Sequence, residues 1–154
     1  MMTSPEERLV ELGLTLPEVT APLAAYVPTV RTGDHVYTSG QLPFSEGDLP
    51  ATGKVGADVT PEKAKELAAL CALNGIAAVR AEVEDLSRVV RVVKLVGYVA
   101  SAPDFTGQPG VINGASELIG DVFGDAGLHA RSAVGMAALP LDSPVEVEMI
   151  VEVR

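Results

Sequence analysis

The stretch Arg88-Val89-Val90-Arg91-Val92-Val93-Lys94-Leu95-Val96-Gly97-Tyr98-Val99-Ala100 decides how the chain folds. Its basic residues recur every third position, a spacing that a helix face could also produce. The valines settle the choice. Their branched β-carbons crowd a helical turn and pack well on a pleated surface, so the segment is expected to be a strand. Read that way it is apolar on both sides, which places it inside a sheet with cover on each face. The chain's own helices supply one cover, and a neighbouring copy is the expected source of the other.

Working outward, Thr60-Pro61-Glu62 opens a helix that should run from Pro61 to about Glu82. Ala64, Ala68, Cys71, Gly75 and Ala78 recur on it at three- and four-residue spacing, a narrow small-residue stripe that lets a helix approach a sheet closely. Cys71 lies on that stripe with no neighbouring histidine, so it reads as a packing residue rather than a nucleophile. Downstream, Pro103 to Gly110 is a loop. A second helix should span about Pro109 to Phe123, with Ile112, Ala115, Ile119 and Phe123 inward and Gly124 and Gly127 ending it. Two final strands follow, Arg131 to Leu139 and Val145 to Val153, joined by Pro140-Leu141-Asp142-Ser143-Pro144. The last alternates cleanly between valine or methionine and glutamate. If these two strands form a hairpin centred near Asp142, Arg131 falls opposite Val153 and Glu146 opposite Ala138. They would then stand about 23 Å apart at roughly 3.3 Å per residue.

Upstream, Ser4-Pro5-Glu6-Glu7 is a capped helix start, ending near Leu12 at Gly13. A connector without periodicity runs from Leu14 to Leu23. Tyr26 to Arg31 and His35 to Ser39 read as two strands around the turn Thr32-Gly33-Asp34, and Pro28 argues that the first is an edge strand. His35, at that turn, reads as an exposed and inert side chain. Pro43 to Val59 is a loop expected to include one short strand. The whole is one domain over residues 1–154, with helix and connector over 1–23 and the core over 24–154.

Composition restricts function. Eleven Lys and Arg against twenty-one Asp and Glu give a net charge of −10, which opposes a phosphate-binding surface and hence nucleic-acid partners. Apolar content is 47% with only 4% aromatic residues and no Trp, so Ala and Val carry the core. Small side chains bury less area each, which points to further burial between copies of the chain. The single cysteine, Cys71, cannot form an intrachain disulfide, and no CxxC or Cys/His cluster suggests zinc, so no metal is expected. No signal-peptide pattern at the N-terminus and no unbroken apolar run of membrane-spanning length make a cytoplasmic location, away from membranes, the expectation. There is no P-loop, nucleophile elbow or zinc-protease motif.

The C-terminal third carries the chemistry. His129-Ala130-Arg131-Ser132-Ala133-Val134, then Leu139-Pro140, then Val145-Glu146-Val147-Glu148 resembles the signature of the reactive-intermediate deaminase (RidA, or YjgF) family. Tyr26-Val27, Thr38-Ser39-Gly40-Gln41-Leu42-Pro43 and Asn113 match upstream, in the same order. The resemblance implies an α+β, ferredoxin-like or chorismate-mutase-like fold. It has a mostly antiparallel sheet and two packed helices, here with an added N-terminal helix, and assembles as a homotrimer with clefts between subunits. It implies hydrolysis of enamines and imines of the 2-aminoacrylate type to 2-keto acids and ammonia, without cofactor or metal. Arg131 would then grip the substrate carboxylate and Glu146 would orient or activate water. Tyr26, Ser39, Gly40 and Asn113 would line the cleft, with His129 and Ser116 as extra polar lining.

The residue types suit those roles. A guanidinium offers two parallel donors to a carboxylate, and a carboxylate beside an imine serves as acid–base or water-orienting group. Taken alone, Arg131 would be a surface ion-pair residue, and Glu146 on an alternating edge strand would be a solvated one. Two other functions fit the same residues: a non-catalytic trimer binding a small carboxylate metabolite at Arg131, and the endoribonuclease or translation-inhibitor activity also associated with the family, which the acidic charge opposes. The sequence departs from the family at Ala133, where many relatives carry cysteine, at Ala24-Ala25 before the tyrosine, and in the longer loop from Phe44 to Val59. These mark a divergent, longer subgroup.

Overall fold

The computed structural model describes residues 3–19 and 24–154. The end of the connector expected over Leu14 to Leu23 and the first two residues of the expected non-signal N-terminus lie outside them. Three helices and five strands follow in the order α1 (Pro5–Glu11), β1 (Thr29–Thr32), β2 (His35–Thr38), α2 (Pro61–Val83), β3 (Val89–Ala100), α3 (Gln108–Phe123), β4 (Ala130–Met136) and β5 (Val145–Val153).

Local chemistry fixes the helix starts. The Ser4 hydroxyl accepts from the backbone N–H of Glu7 while the Glu7 carboxylate accepts from the N–H of Ser4, a reciprocal capping box ahead of Pro5. The Thr60 side chain accepts from the N–H of Lys63 at the start of α2, again with proline in the first turn. In the small-residue stripe of α2, Ala64, Ala68, Cys71, Gly75 and Ala78 are all buried. Burial pushes the Cys71 thiol well above its ordinary pKa, as suits a packing residue with no thiolate chemistry.

The five strands form one mixed sheet in the order β1-β2-β5-β3-β4. Three ladders are antiparallel, and β3 pairs with β4 in parallel. The expected strand over residues 88–100 is therefore interior, between β5 and β4, and β1 is an edge strand as Pro28 requires. Four expectations are corrected. The last two strands do not form a hairpin, because β3 lies between them; the chain leaves β3, crosses over through α3 and returns alongside it as β4. The last strand is interior, flanked by β2 and β3, rather than an edge. Tyr26 precedes its strand, which begins only at Thr29. The loop from Pro43 to Val59 holds isolated bridges, Ser45 with Asp48 and Val55 with Val59 and Ser101, instead of a strand.

The helices cover one sheet face only. Val145, Val147, Met149, Val151 and Val153 of β5 point at them, with Val92, Leu95 and Val99 of β3, and meet Ile112, Ala115 and Ile119 of α3 in the buried core. The opposite face carries Tyr37, Val96, Tyr98, Val134, Met136 and Ile150. Among the described residues no element of the chain lies across it, and Tyr37, Val134 and Met136 are exposed.

Candidate functional site

The expected site residues fall into two groups. The first sits where β4 passes α3. Cross-strand partners share a face, so Arg131, paired with Leu95 and through it with Met149, projects to the helix-covered side. There Arg131 Nη1 donates to Asn113 Oδ1 at 2.8 Å and to Ser116 Oγ at 3.2 Å, and Nη2 donates to the Pro109 carbonyl at 3.4 Å. Asn113 and Ser116 lie three residues apart, which places both on one face of α3. Behind them His129 Nε2 stands 2.9 Å from Ser116 Oγ, while His129 Nδ1 lies 2.6 Å from the Gly127 carbonyl oxygen. A guanidinium has five N–H donors, and these contacts use three. Among the described residues, the Nε–H and one Nη2–H have no partner.

The second group lines a cleft of about 970 Å³ with Tyr26, Ser39, Gly40 and Glu146 on its wall. The N–H of Gln41 donates to the Val147 carbonyl and the N–H of Val147 to the Gln41 carbonyl, which lays Gly40 directly against Glu146. An ideal Cβ on Gly40 would lie 2.5 Å from Glu146 Oε1, so glycine is what lets the carboxylate occupy this position. The Ser39 hydroxyl donates to the Val27 carbonyl at 2.5 Å, which ties the segment after Tyr26 to the end of β2. Burial first, and the neighbouring Glu148 charge second, raise the Glu146 pKa above its ordinary value.

Glu146 alternates with the buried Val145 and Val147 and pairs with Tyr98, so it faces the uncovered side of the sheet. The Tyr98 hydroxyl donates to Glu148 Oε1, and this hydrogen bond, ahead of burial, pushes the phenol up to about 12. Within one chain Arg131 and Glu146 are therefore on opposite faces. Two strand spacings and three residues along β3 separate them, about 14 Å between α-carbons by standard sheet dimensions. The two residues are apart within one chain as expected, but the expected distance of about 23 Å is corrected to about 14 Å, and its cause is the intervening strand rather than hairpin length.

Sequence reasoning missed Tyr98, whose partner lies fifty residues away on another strand and leaves no local signal. It also missed Leu141, part of the cleft wall, held at φ 58° beside Asp142 at φ 57°. Pro140 announces a turn there but not that conformation. Among the described residues no group of three or more His, Cys, Asp or Glu side chains is placed to hold a metal, and no helix is long and apolar enough to cross a membrane.

An α+β sheet of this topology, with an arginine pinned to its crossover helix and a glutamate at the second position of a Val-Glu-Val-Glu strand start, defines a class. Residues 6–153 match the family described as "YjgF/chorismate mutase-like, putative endoribonuclease", and the chain belongs to it. It is 45% identical over 147 residues to protein TCP17 of Trypanosoma cruzi, covering 95% of this chain and 92% of that one. It is 32% identical over 130 residues to the 2-iminobutanoate/2-iminopropanoate deaminase of Escherichia coli K12, covering 84% and 88%. Among solved structures, Atu1372 of Agrobacterium tumefaciens superimposes with a TM-score of 0.91 at 50% identity, over 97% of this chain and 93% of that one.

Proposed function

We propose that the protein hydrolyses small carboxylate-bearing enamines and imines to 2-keto acids and ammonia, at a site completed by a second copy of the chain. The observation that carries this reading is Arg131. Its Nη1 is held by Asn113 and Ser116 and its Nη2 by Pro109, which leaves adjacent N–H groups, on Nε and Nη2, for a carboxylate. Glu146 supplies the complementary chemistry: a carboxyl group with a raised pKa, half-buried in a cleft, exchanges protons with a reacting imine or a water near neutral pH more readily than an ordinary surface glutamate.

Hydrolysis follows from these two groups. Tautomerisation of the enamine puts a proton on carbon and gives the imine. Water then adds to the imine carbon as Glu146 takes one of its protons and returns it to the imine nitrogen, giving a tetrahedral aminoalcohol. Glu146 next carries the hydroxyl proton to nitrogen as the C–N bond breaks, so that ammonia leaves and the C=O of the 2-keto acid forms. Arg131 keeps the carboxylate, and so the carbon beside it, fixed throughout.

Because the two groups lie on opposite faces of one chain's sheet, they can share a substrate only across an interface. The uncovered face with Val134 and Met136 exposed at its edge offers that interface, and the family resemblance gives its form as a homotrimer. Light scattering on the purified chain is expected to give the mass of three copies; a monomer at micromolar concentration would remove the shared site. The related E. coli protein's name, a deaminase of 2-iminobutanoate and 2-iminopropanoate, supports the substrate class. The net charge of −10 weighs against RNA as substrate.

The test adds the protein to a threonine dehydratase reaction in which semicarbazide competes for the released imine. Wild type should speed keto-acid release, and Arg131→Ala should lose about 100-fold in efficiency, the value of two charge-assisted hydrogen bonds. Equal acceleration by both proteins would refute the reading.

A further inference from the structure

His129 offers no nitrogen to a ligand in this structure, since both ring nitrogens are engaged inside the fold. Its Nδ1 faces the Gly127 carbonyl oxygen, which can only accept, so Nδ1 carries the proton. In the neutral ring Nε2 is then the acceptor, and among the described residues its donor, at 2.9 Å, is the Ser116 hydroxyl. That spends the Ser116 proton on His129 and turns the oxygen lone pairs toward Arg131 Nη1, 3.2 Å away. The relay runs in one direction: Arg131 donates to Ser116, Ser116 to His129, and His129 to the backbone at Gly127. Free imidazole has no such enforced direction; here a backbone carbonyl sets it.

Without the Nε2 acceptor the Ser116 hydroxyl would be free to rotate its hydrogen toward the guanidinium, where it can only repel. Nη1 would then hold to Asn113 Oδ1 alone, and the planar group would keep only that bond and the longer 3.4 Å bond from Nη2 to the Pro109 carbonyl, which fix its plane less firmly. We propose that His129 is a positioning residue that acts through Ser116 to fix the plane of Arg131, so that the Nε–H and free Nη2–H point together at the bound carboxylate. This rests on the reading of Arg131 as a carboxylate anchor, and it replaces direct ligand contact by His129 with an indirect role.

The proposal has a spectroscopic consequence and a binding consequence, both measured on the full chain as it assembles. Long-range 1H–15N correlation spectra at neutral pH should show His129 as the Nδ1–H tautomer; an Nε2–H tautomer overturns the proposal. For binding, the probe is 2-oxobutanoate, followed by calorimetry. Ser116→Ala and His129→Leu should each weaken it about five-fold, the worth of one intramolecular hydrogen bond. Ser116→Thr, which keeps the hydroxyl, and His129→Gln, whose amide oxygen replaces the Nε2 acceptor, should recover most of that loss. A role in packing alone would give equal losses in all four variants and overturns the proposal. Arg131→Ala separates this inference from the functional reading beneath it. If it abolishes binding while Ser116→Ala does not change it, only the positioning role falls. If Arg131→Ala itself binds normally, the anchor falls and the positioning role with it.

Discussion

The two halves of the candidate site are built by opposite means. The Arg131 half is assembled from hydrogen bonds: a cation on β4 whose donors are taken up by Asn113, Ser116 and Pro109 on one helix. The Glu146 half is assembled from what is withheld. No side chain at Gly40, partial burial and a like charge at Glu148 leave a carboxylate with less reason to ionise than it would have in water. The proposed ligand anchor is thus held by hydrogen bonds, and the proposed proton-transfer group is made electrostatically uncomfortable. The two strategies are kept apart by the sheet itself, which puts each half on its own face.

The largest expected effect breaks the Glu146 half alone. Glu146→Gln keeps the shape and removes the proton exchange, so turnover in the coupled imine assay should fall by a factor of about 10²–10⁴ while 2-oxobutanoate affinity changes little. A comparable loss of affinity would mean that the halves are not functionally distinct. Next in size is Gly40→Ala. The new Cβ would meet Glu146 Oε1 at 2.5 Å and force the carboxylate aside, and a displacement of this order is expected to lower kcat by about 10- to 100-fold with KM nearly unchanged. Retention of full kcat would show that the position of the Glu146 carboxylate is not critical.

How much of this contrast could be read from the sequence depends on whether the information was local. Helix α2, its small-residue stripe and the buried Cys71 were legible, because periodicity along one segment reports which side of it is buried. The alternation of β5 likewise showed which residues face the core. Alternation does not report neighbours. Nothing in residues 130–136 says that they pair with β3 in parallel rather than with β5, so the hairpin expected between the last two strands was wrong, and so was the placing of Glu146 on an edge. The site residues came from motif order, which brought out Arg131, Asn113, Ser39, Gly40 and Glu146 as a set but not their division between two faces. Tyr98 stood in plain view in the segment that decided the fold, yet its link to Glu148 becomes visible only when β3 and β5 are laid side by side.

That link gives a smaller test. Tyr98→Phe removes the donor to Glu148, which is partly buried, so it should destabilise the fold by about 1 kcal/mol in urea unfolding. It also lets water reach Glu148, which weakens its effect on Glu146. The raised Glu146 pKa should move back toward its ordinary value, shifting the acid limb of the pH–rate profile to lower pH. An unmoved limb would assign the shift to burial alone.

The smallest effect tests whether the Glu146 half is strained as claimed. A carboxyl group whose pKa is higher in the folded than in the unfolded state binds its proton more tightly when folded. Stability is then greatest at acidic pH and falls as pH rises from the ordinary carboxylate range through the raised value. Glu146→Gln carries no such charge, so it should be more stable than wild type at pH 7, and that advantage should shrink as pH is lowered toward 4. Because the group is only half-buried, solvent screening holds the difference below about 1 kcal/mol, at most about 3 °C in Tm for a domain of this size. Melting curves between pH 4 and 8 read the sign directly. A glutamine variant less stable than wild type at pH 7 would mean that the carboxylate is welcomed by its cleft, and the contrast with Arg131 would lose its electrostatic half.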